Sequence, residues 1–142
     1  MLHLLFAFFA LGRDTTPCAF ADSGVSVPPP GSPFREGIFT KVEKEAYYQA
    51  GQAAWKAAVD SAIGANRDFL NEDGEKSHGT CWLQFVVRFD GSISDVRALT
   101  MEDSHLAQVL VRLIEDHPCA WHPAIQNGRM VNAFRREKIM YP

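Results

Sequence analysis

The amino-acid sequence predicts an α+β fold, in which a small antiparallel sheet of about three strands has two helices packed on one face. Three observations predict this fold. The segment from Thr80 to Phe89 alternates in the manner of a half-buried strand. Asp90 and Gly91 follow it as a hairpin turn, and residues 106–114 carry an apolar stripe at helical spacing.

The first helix is predicted within the alanine-rich stretch from Gln49 to Phe69. Gly64 is expected to end it, because glycine readily adopts the left-handed conformation that closes helices. Residues 71–79 then form a polar loop. The apolar residues that recur at helical spacing, and are expected to share one face, are Trp55, Ala58, Val59, Ala62 and Ile63.

The segment from Thr80 to Phe89 is the strongest strand signal in the chain. Burial of each large apolar side chain on its inner face contributes roughly 1.5 to 3 kcal/mol. The Asp90-Gly91 pair suits a tight turn with positive φ, and residues 93–99 return as the partner strand. The predicted inner face of the hairpin consists of Cys81, Leu83, Phe85, Val87 and Phe89.

The second helix is predicted to begin at a cap formed by Asp103 or Ser104 and to end before Pro118. Its five large apolar residues recur at intervals of three and four, so they face the sheet together. These residues are Leu106, Val109, Leu110, Leu113 and Ile114.

A last strand is predicted from Met130 to Tyr141, after an extended segment at residues 121–125 and a turn at Asn127 and Gly128. We expect it to pair antiparallel with the Thr80 to Phe89 strand and to lie at an exposed edge of the sheet. Two interpretations of its positive charges stay open: they deter aggregation through the edge, or they meet an acidic or polar partner strand. The basic residues are Arg129, Arg135, Arg136 and Lys138.

Residues 2–11 are apolar apart from His3, and they are fewer than the roughly 20 residues that a membrane-spanning helix needs. Together with the small-x-small sequence at residues 19–21, they make residues 1–21 resemble a signal peptide, with a mature start at Asp22. A weak uncleaved anchor and a misassigned start codon remain open. Residues 22–37, rich in Pro, Gly and Ser, are predicted to be a linker, and residues 38–142 the domain.

Composition bounds the class of protein and its partners. The chain has 142 residues, 46% of them hydrophobic and 22% charged, which suits one ordinary globular domain with tails. Its formal net charge of -3 gives no global electrostatic reason to bind nucleic acid or an anionic membrane. Nucleic acid is therefore not an expected partner.

Histidine and cysteine residues invite a metal-site hypothesis, in one group at His117, Cys119 and His122 and in another at His78 and Cys81. Their spacing matches no standard zinc motif. The predicted strand pairing also separates Cys81 from Cys119 by roughly 30 Å, whereas a disulfide requires Cα atoms within about 7 Å. We therefore predict that these two cysteines are not bonded to each other.

No catalytic residue, metal or other cofactor is predicted. The sequence contains no nucleophile-and-base signature, no glycine-rich phosphate loop and no paired-carboxylate motif. The acidic residues beside the second predicted helix are ordinarily solvated or capping groups. The chain is not expected to be an enzyme.

Taken in order, these segments are similar to the C-terminal domain of the TonB family, in its Bacteroidetes-type versions. The resemblance covers about Val42 to Tyr141. It begins with VEKEA, which is followed by Gly51 and Trp55, and continues with GTCWLQFVVRFDGSISDV. It closes with Pro118, Trp121, Pro123, Ala124, Asn127, Gly128, Val131 and Ile139.

The resemblance implies an envelope protein whose C-terminal edge strand pairs with an extended partner segment, as TonB does with the TonB box of outer-membrane receptors. We expect an exported binding domain, periplasmic or secreted, whose partner is an outer-membrane TonB-dependent receptor or another envelope protein; a homodimer is also possible. The alternative is an energy transducer anchored in the inner membrane, although the Pro-rich stretch is too short to span the periplasm. The expected partner-binding residues are Arg129, Val131, Asn132, Phe134, Arg135 and Arg136.

Overall fold

The computed structural model of the chain describes Cys18, Phe20 and residues 24–142. Helices and strands alternate along this part of the chain, which confirms the mixed α+β class. The first elements are α1 (Pro33–Glu36), β1 (Ile38–Phe39), β2 (Tyr47–Tyr48), α2 (Gln52–Ala65) and α3 (Arg67–Glu72). After a 3-10 turn (Gly74–Ser77) come β3 (Gly79–Val87), β4 (Ile93–Ala98), α4 (His105–Glu115), β5 (Trp121–His122), β6 (Ala124–Gln126) and β7 (Arg129–Tyr141).

The main sheet has more strands than the sequence predicted. In the described part of the chain it contains five strands, in the order β1-β7-β3-β4 with β6 also paired to β7, and β2 and β5 form a separate two-stranded ribbon. The prediction of about three strands is therefore wrong. The added strands have only two or three residues each, too few to show the alternation by which a strand is recognised.

The predicted hairpin is confirmed. β3 and β4 pair antiparallel, with a register shift between Gln84 and Val86. The turn between them is closed by a bond from Arg88 N–H to Ser92 O at 2.9 Å, and Gly91 has a φ of 84°, a conformation that favours glycine.

Both predicted helices are present, but the described part of the chain has four α-helices, because the short α1 and α3 were not predicted. The first predicted helix also ends later than expected. Gly64 lies inside α2, and Asn66 takes the C-cap position with its backbone N–H donating to Ile63 O. The N-cap of α4 is Ser104, whose hydroxyl accepts a hydrogen bond from Ala107 N–H at 3.0 Å. Ser104 is thus the cap that the sequence offered as one of two choices.

α2 and α4 contribute to the core on one face of the sheet. α2 contributes Trp55 and Val59, and β3 contributes Leu83 and Phe85, all of them buried. Trp121 from β5 packs its ring against Trp55 and Phe85, with centroid distances of 5.1 and 5.0 Å. The apolar stripe of α4 closes the core with Leu106, Val109, Leu110 and Ile114.

The last strand, β7, pairs antiparallel with β3 from Gly79 opposite Tyr141 to Val87 opposite Ala133, as expected. Its other side pairs with β6 over residues 129–131 and with β1 at residues 132 and 133. The prediction that the whole strand lies at an edge of the sheet is wrong, because these short strands cover its first five residues.

The described part of the predicted linker contacts the domain. Ser26 N–H donates to Gly128 O at 3.1 Å and Ser26 O accepts from Met130 N–H at 2.9 Å. Pro28 is buried, and its carbonyl accepts a hydrogen bond from the Arg35 side chain at 2.8 Å. Residues 24–37 therefore lie along the start of β7.

A disulfide joins Cys18 to Cys119, with 5.3 Å between their Cα atoms. Cys81 is free and buried, which confirms that Cys81 and Cys119 are not bonded to each other. The ring of Phe20 packs edge-on against His122 with a centroid distance of 5.0 Å. Apart from Cys18 and Phe20, the predicted signal peptide or anchor lies outside the described residues.

None of the helices in the described residues is both long enough and apolar enough to cross a membrane.

Candidate strand-binding edge

One side of β7 is open over residues 134–141. These residues pair with β3 on one side, and among the described residues no strand pairs with them on the other. We call this second side the open edge. A strand edge of this kind presents backbone N–H and C=O groups that can pair with another chain.

A groove of about 370 Å³ runs beside the open edge, between β7 and α2. The exposed residues of α2 that line it are Gln52, Ala53, Lys56 and Asp60, and β7 lines it with residues 137–140. Its wall thus combines apolar, amide and charged groups of both signs. The arrangement leaves space next to the backbone groups of the open edge.

Glu137 is the buried acid of this groove, with an exposed fraction of 7%. Its Oε2 atom accepts a hydrogen bond from Trp55 Nε1 at 3.2 Å. Its Oε1 atom accepts two from the Arg135 guanidinium, at 3.0 and 2.7 Å. Arg135 also pairs with Glu45 at 3.1 Å. Charge-assisted bonds of this kind are strong, so the network joins α2, β7 and the segment before β2.

Three of the six expected partner-binding residues are held inside the domain. Arg135 is engaged by Glu137 and Glu45. Val131 is fully buried in the core. Asn132 is also fully buried, accepting from Phe89 N–H at 2.8 Å and donating to Arg35 O at 2.8 Å. These three side chains hold the fold together.

The other three expected residues lie nearer to the surface. The Arg129 guanidinium lies 5.9 Å from the centroid of the Phe34 ring. Phe134 is half-buried, and Arg136 is exposed with its Nε donating to Gln84 Oε1 at 3.1 Å. Of the six, Phe134, Arg135 and Arg136 fall within the open edge.

The groove residues of α2 were missed by sequence reasoning. Lys56 and Asp60 have the spacing of any solvated helix face, and nothing local shows which strand they lie beside. A signal for the open edge was present in the length of the last strand. The strand has 13 residues, so the short extended segment at residues 121–125 can pair with only part of it.

The histidine and cysteine residues considered for a metal are spread over the fold. The Cys119 sulfur is bonded to Cys18 and is no thiolate ligand. Burial raises the pKa of the Cys81 thiol to about 11, so this thiol is protonated and unreactive at neutral pH. Across the described residues, no three His, Cys, Asp or Glu side chains are grouped so that they could hold a metal ion.

Comparisons of this chain with protein-family models, with curated proteins and with solved structures find no match.

Proposed function

We propose that this chain is an exported TonB-like binding domain of the bacterial envelope, which receives an extended segment of a partner protein by strand addition at the open edge of β7. The partner would be an outer-membrane TonB-dependent receptor or another envelope protein. The proposal combines the resemblance in sequence with the position of the open edge.

The observation that carries the proposal is the one-sided pairing of residues 134–141. An added strand pairs through its own backbone, so the affinity comes from main-chain hydrogen bonds. Specificity comes from the side chains that alternate along it, and the groove against α2 can take those on one face. Pairing with β3 along residues 134–141 holds the edge in an extended conformation.

The disulfide supports export and favours a mature chain that retains Cys18. Structural disulfides persist in oxidising compartments, of which the bacterial periplasm is one. Cleavage after Ala21 would remove Cys18 and leave Cys119 without its partner. We therefore propose that any processing of the exported chain occurs before Cys18, and not at Asp22.

The alternative, an anchored energy transducer, receives less support from the same disulfide. The seven residue-to-residue steps from Leu11 to Cys18 reach at most about 25 Å when fully extended. An anchor in residues 2–11 would hold Cys119 within that distance of the membrane, because Cys18 is bonded to it. This reach does not bridge the periplasm, so we favour the binding domain.

Amide hydrogen exchange with a synthetic peptide resembling a TonB box tests the proposal. We expect the peptide to slow exchange at residues of the open edge, because their free N–H groups gain partners. β4, at the opposite side of the sheet, serves as the internal control and should keep its exchange rates.

An N-methylated form of the same peptide is the matched ligand control, because it keeps the side chains and lacks the backbone donors. It should not bind. The proposal is contradicted if neither peptide binds, if the methylated peptide binds equally, or if protection appears at β4 instead of β7.

A further inference from the structure

The sheet has a second face, turned away from α2 and α4, on which basic and apolar side chains lie side by side. We infer that this face is a docking surface for an acidic polypeptide segment that carries apolar side chains. The surface shares Lys138 and Met140 with the groove beside the open edge, but a partner would bind it through side chains, whereas strand addition uses the backbone of the edge. We call it the basic sheet face and define it by Trp82, Arg97, Phe134, Arg136, Lys138 and Met140.

The register of the strands places these residues together. Trp82 lies opposite Lys138 in the pairing of β3 with β7, and residues directly opposite in an antiparallel pair point to the same face. Alternation along β7 adds the residues two positions away, Arg136 and Met140. Arg97 of β4 lies opposite Gln84, and Gln84 lies opposite Arg136. Arg97 therefore points to the same face as Arg136.

The apolar part of the face is unusually open. Met140 is 64% exposed and Trp82 is 39% exposed, in a chain where the other two tryptophans are buried. Beside them a shallow groove of about 440 Å³ crosses the strands, and its walls include Ile38 of β1 and Phe134 of β7. Exposed side chains of this size next to a groove provide apolar area that a partner can cover.

The charges of the face lack acidic partners within it. Arg97, Arg136 and Lys138 are all exposed, and among the described residues no carboxylate lies within salt-bridge distance of any of them. Asp95 is the acidic residue that lines the same groove. Three cations against one anion form a local positive patch on a chain whose formal net charge is -3, which favours an acidic partner.

Two other occupants fit the face less well. A second copy of the chain would bring equal positive charges together, which is unfavourable for face-to-face pairing. Nucleic acid binds such sheets by stacking bases on aromatic rings, but the Lys138 ammonium lies over the Trp82 ring, 5.8 Å from its centroid. An acidic side chain can instead pair with that ammonium while an apolar neighbour covers Trp82 or Met140.

A fluorescently labelled peptide in which Glu, Phe and Pro recur tests the inference on the purified, oxidised protein. Proline lacks the backbone donor for strand pairing, so this peptide can dock on the face without adding to the open edge. We expect binding that weakens with added salt, since exposed charges are screened. The indole N–H resonance of Trp82, assigned by its loss in Trp82→Phe, should shift on titration.

The double substitution Arg136→Gln with Lys138→Gln should weaken binding of this peptide about tenfold, through loss of two charge-assisted contacts. The matched control, Lys41→Gln with Arg67→Gln, removes an exposed lysine and an exposed arginine elsewhere and should leave the affinity unchanged. Unfolding midpoints of both variants confirm that each is folded.

Four results would overturn the inference. They are equal binding of a peptide with Lys in place of Glu, equal weakening by both double variants, tighter binding of a single-stranded oligonucleotide, and tighter binding of anionic lipid vesicles. If the TonB-box peptide does not bind, this test is unaffected. That peptide is proposed to pair with backbone groups of β7, whereas the peptide of Glu, Phe and Pro is proposed to contact side chains of the basic sheet face.

Discussion

At the scale of single residues, the carboxylate of Glu137 depends on its neighbours. A buried charge is stable only when ion pairs and hydrogen bonds replace the water it has lost. Trp55 and Arg135 supply three hydrogen bonds to its two oxygen atoms. The side chain of Arg135 is itself only 21% exposed, so solvent screens this pair less than it would a surface pair.

Replacement of Arg135 by Ala should destabilise the domain by about 3 kcal/mol, because it leaves the Glu137 carboxylate buried without its cation. The free energy of unfolding from urea denaturation measures the effect. Arg136→Ala is the matched control, since Arg136 is the exposed neighbour in the same strand, and it should cost less than about 1 kcal/mol. Equal losses for the two variants would contradict the assignment of Arg135 to the interior.

At the scale of elements, the start of α4 is bonded to the turn that precedes β3. Asp73 accepts hydrogen bonds from the Ser77 hydroxyl and from His105 N–H, both at 2.7 Å. Ser77 in turn accepts from Leu106 N–H at 3.2 Å. The bond from Ser77 is the main cause that lowers the pKa of Asp73 below its ordinary value of 3.8, and the bond from His105 N–H adds to it.

Asp73→Asn should therefore destabilise the domain at neutral pH, with an effect that shrinks in acid. Because the folded-state pKa is lowered, the stabilisation is complete above the ordinary value of 3.8 and is lost as the pH falls through the folded-state pKa. Unfolding curves across this range measure it. Glu75→Gln, an exposed carboxylate on the same 3-10 turn, is the control. A difference between Asp73→Asn and the unmutated chain that does not narrow below pH 3.8 would contradict the role of Asp73.

The elements with long patterns were predictable from the sequence, and the short ones were not. Residues 80–89 show alternation over many positions, and the stripe of α4 extends over two turns, so local spacing is sufficient to identify them. β1 and β6 are strands only because β7 lies beside them. Their existence depends on contacts between residues far apart in the chain, which no local pattern records.

At the scale of the whole molecule, the disulfide ties the start of the chain to the segment between α4 and β5. Cys18 and Cys119 are separated by 101 positions, so the bond closes a loop that contains most of the domain. Cys18 lies close to the β3–β4 turn, where a Cβ atom added to Gly91 would come within 2.7 Å of the Cys18 sulfur. This contact depends on a residue that the sequence had assigned to a removable leader.

Thiol counting on the protein isolated from cells tests whether Cys18 is retained. The chain has three cysteines, so an oxidised chain with Cys18 bonded to Cys119 has one free thiol, that of Cys81, after unfolding without reductant. Reduction should raise the count to three. Cleavage after Ala21 would instead give two thiols before and after reduction, and intact mass would show a start at Asp22.

The candidate site was only partly predictable for the same physical reason. Sequence spacing identified the last strand and showed that it carries several basic residues. It could not show that Arg135 faces Glu137 and the core while Arg136 faces solvent, because this depends on which face of the strand the helices cover. Sequence spacing also left Asn132 among the surface residues, since its buried bonds to Phe89 and Arg35 are long-range.

By itself, the sequence determined the α+β class, the hairpin and the apolar stripe of α4, because periodicity and turn residues act over short distances. Only the tertiary structure decided which part of β7 remains open, which of its arginines are internal, and which cysteine bonds to Cys119. Those outcomes depend on which segments, distant in sequence, pack together. Strands can pair and a disulfide can form only after folding has brought these segments to the required distances.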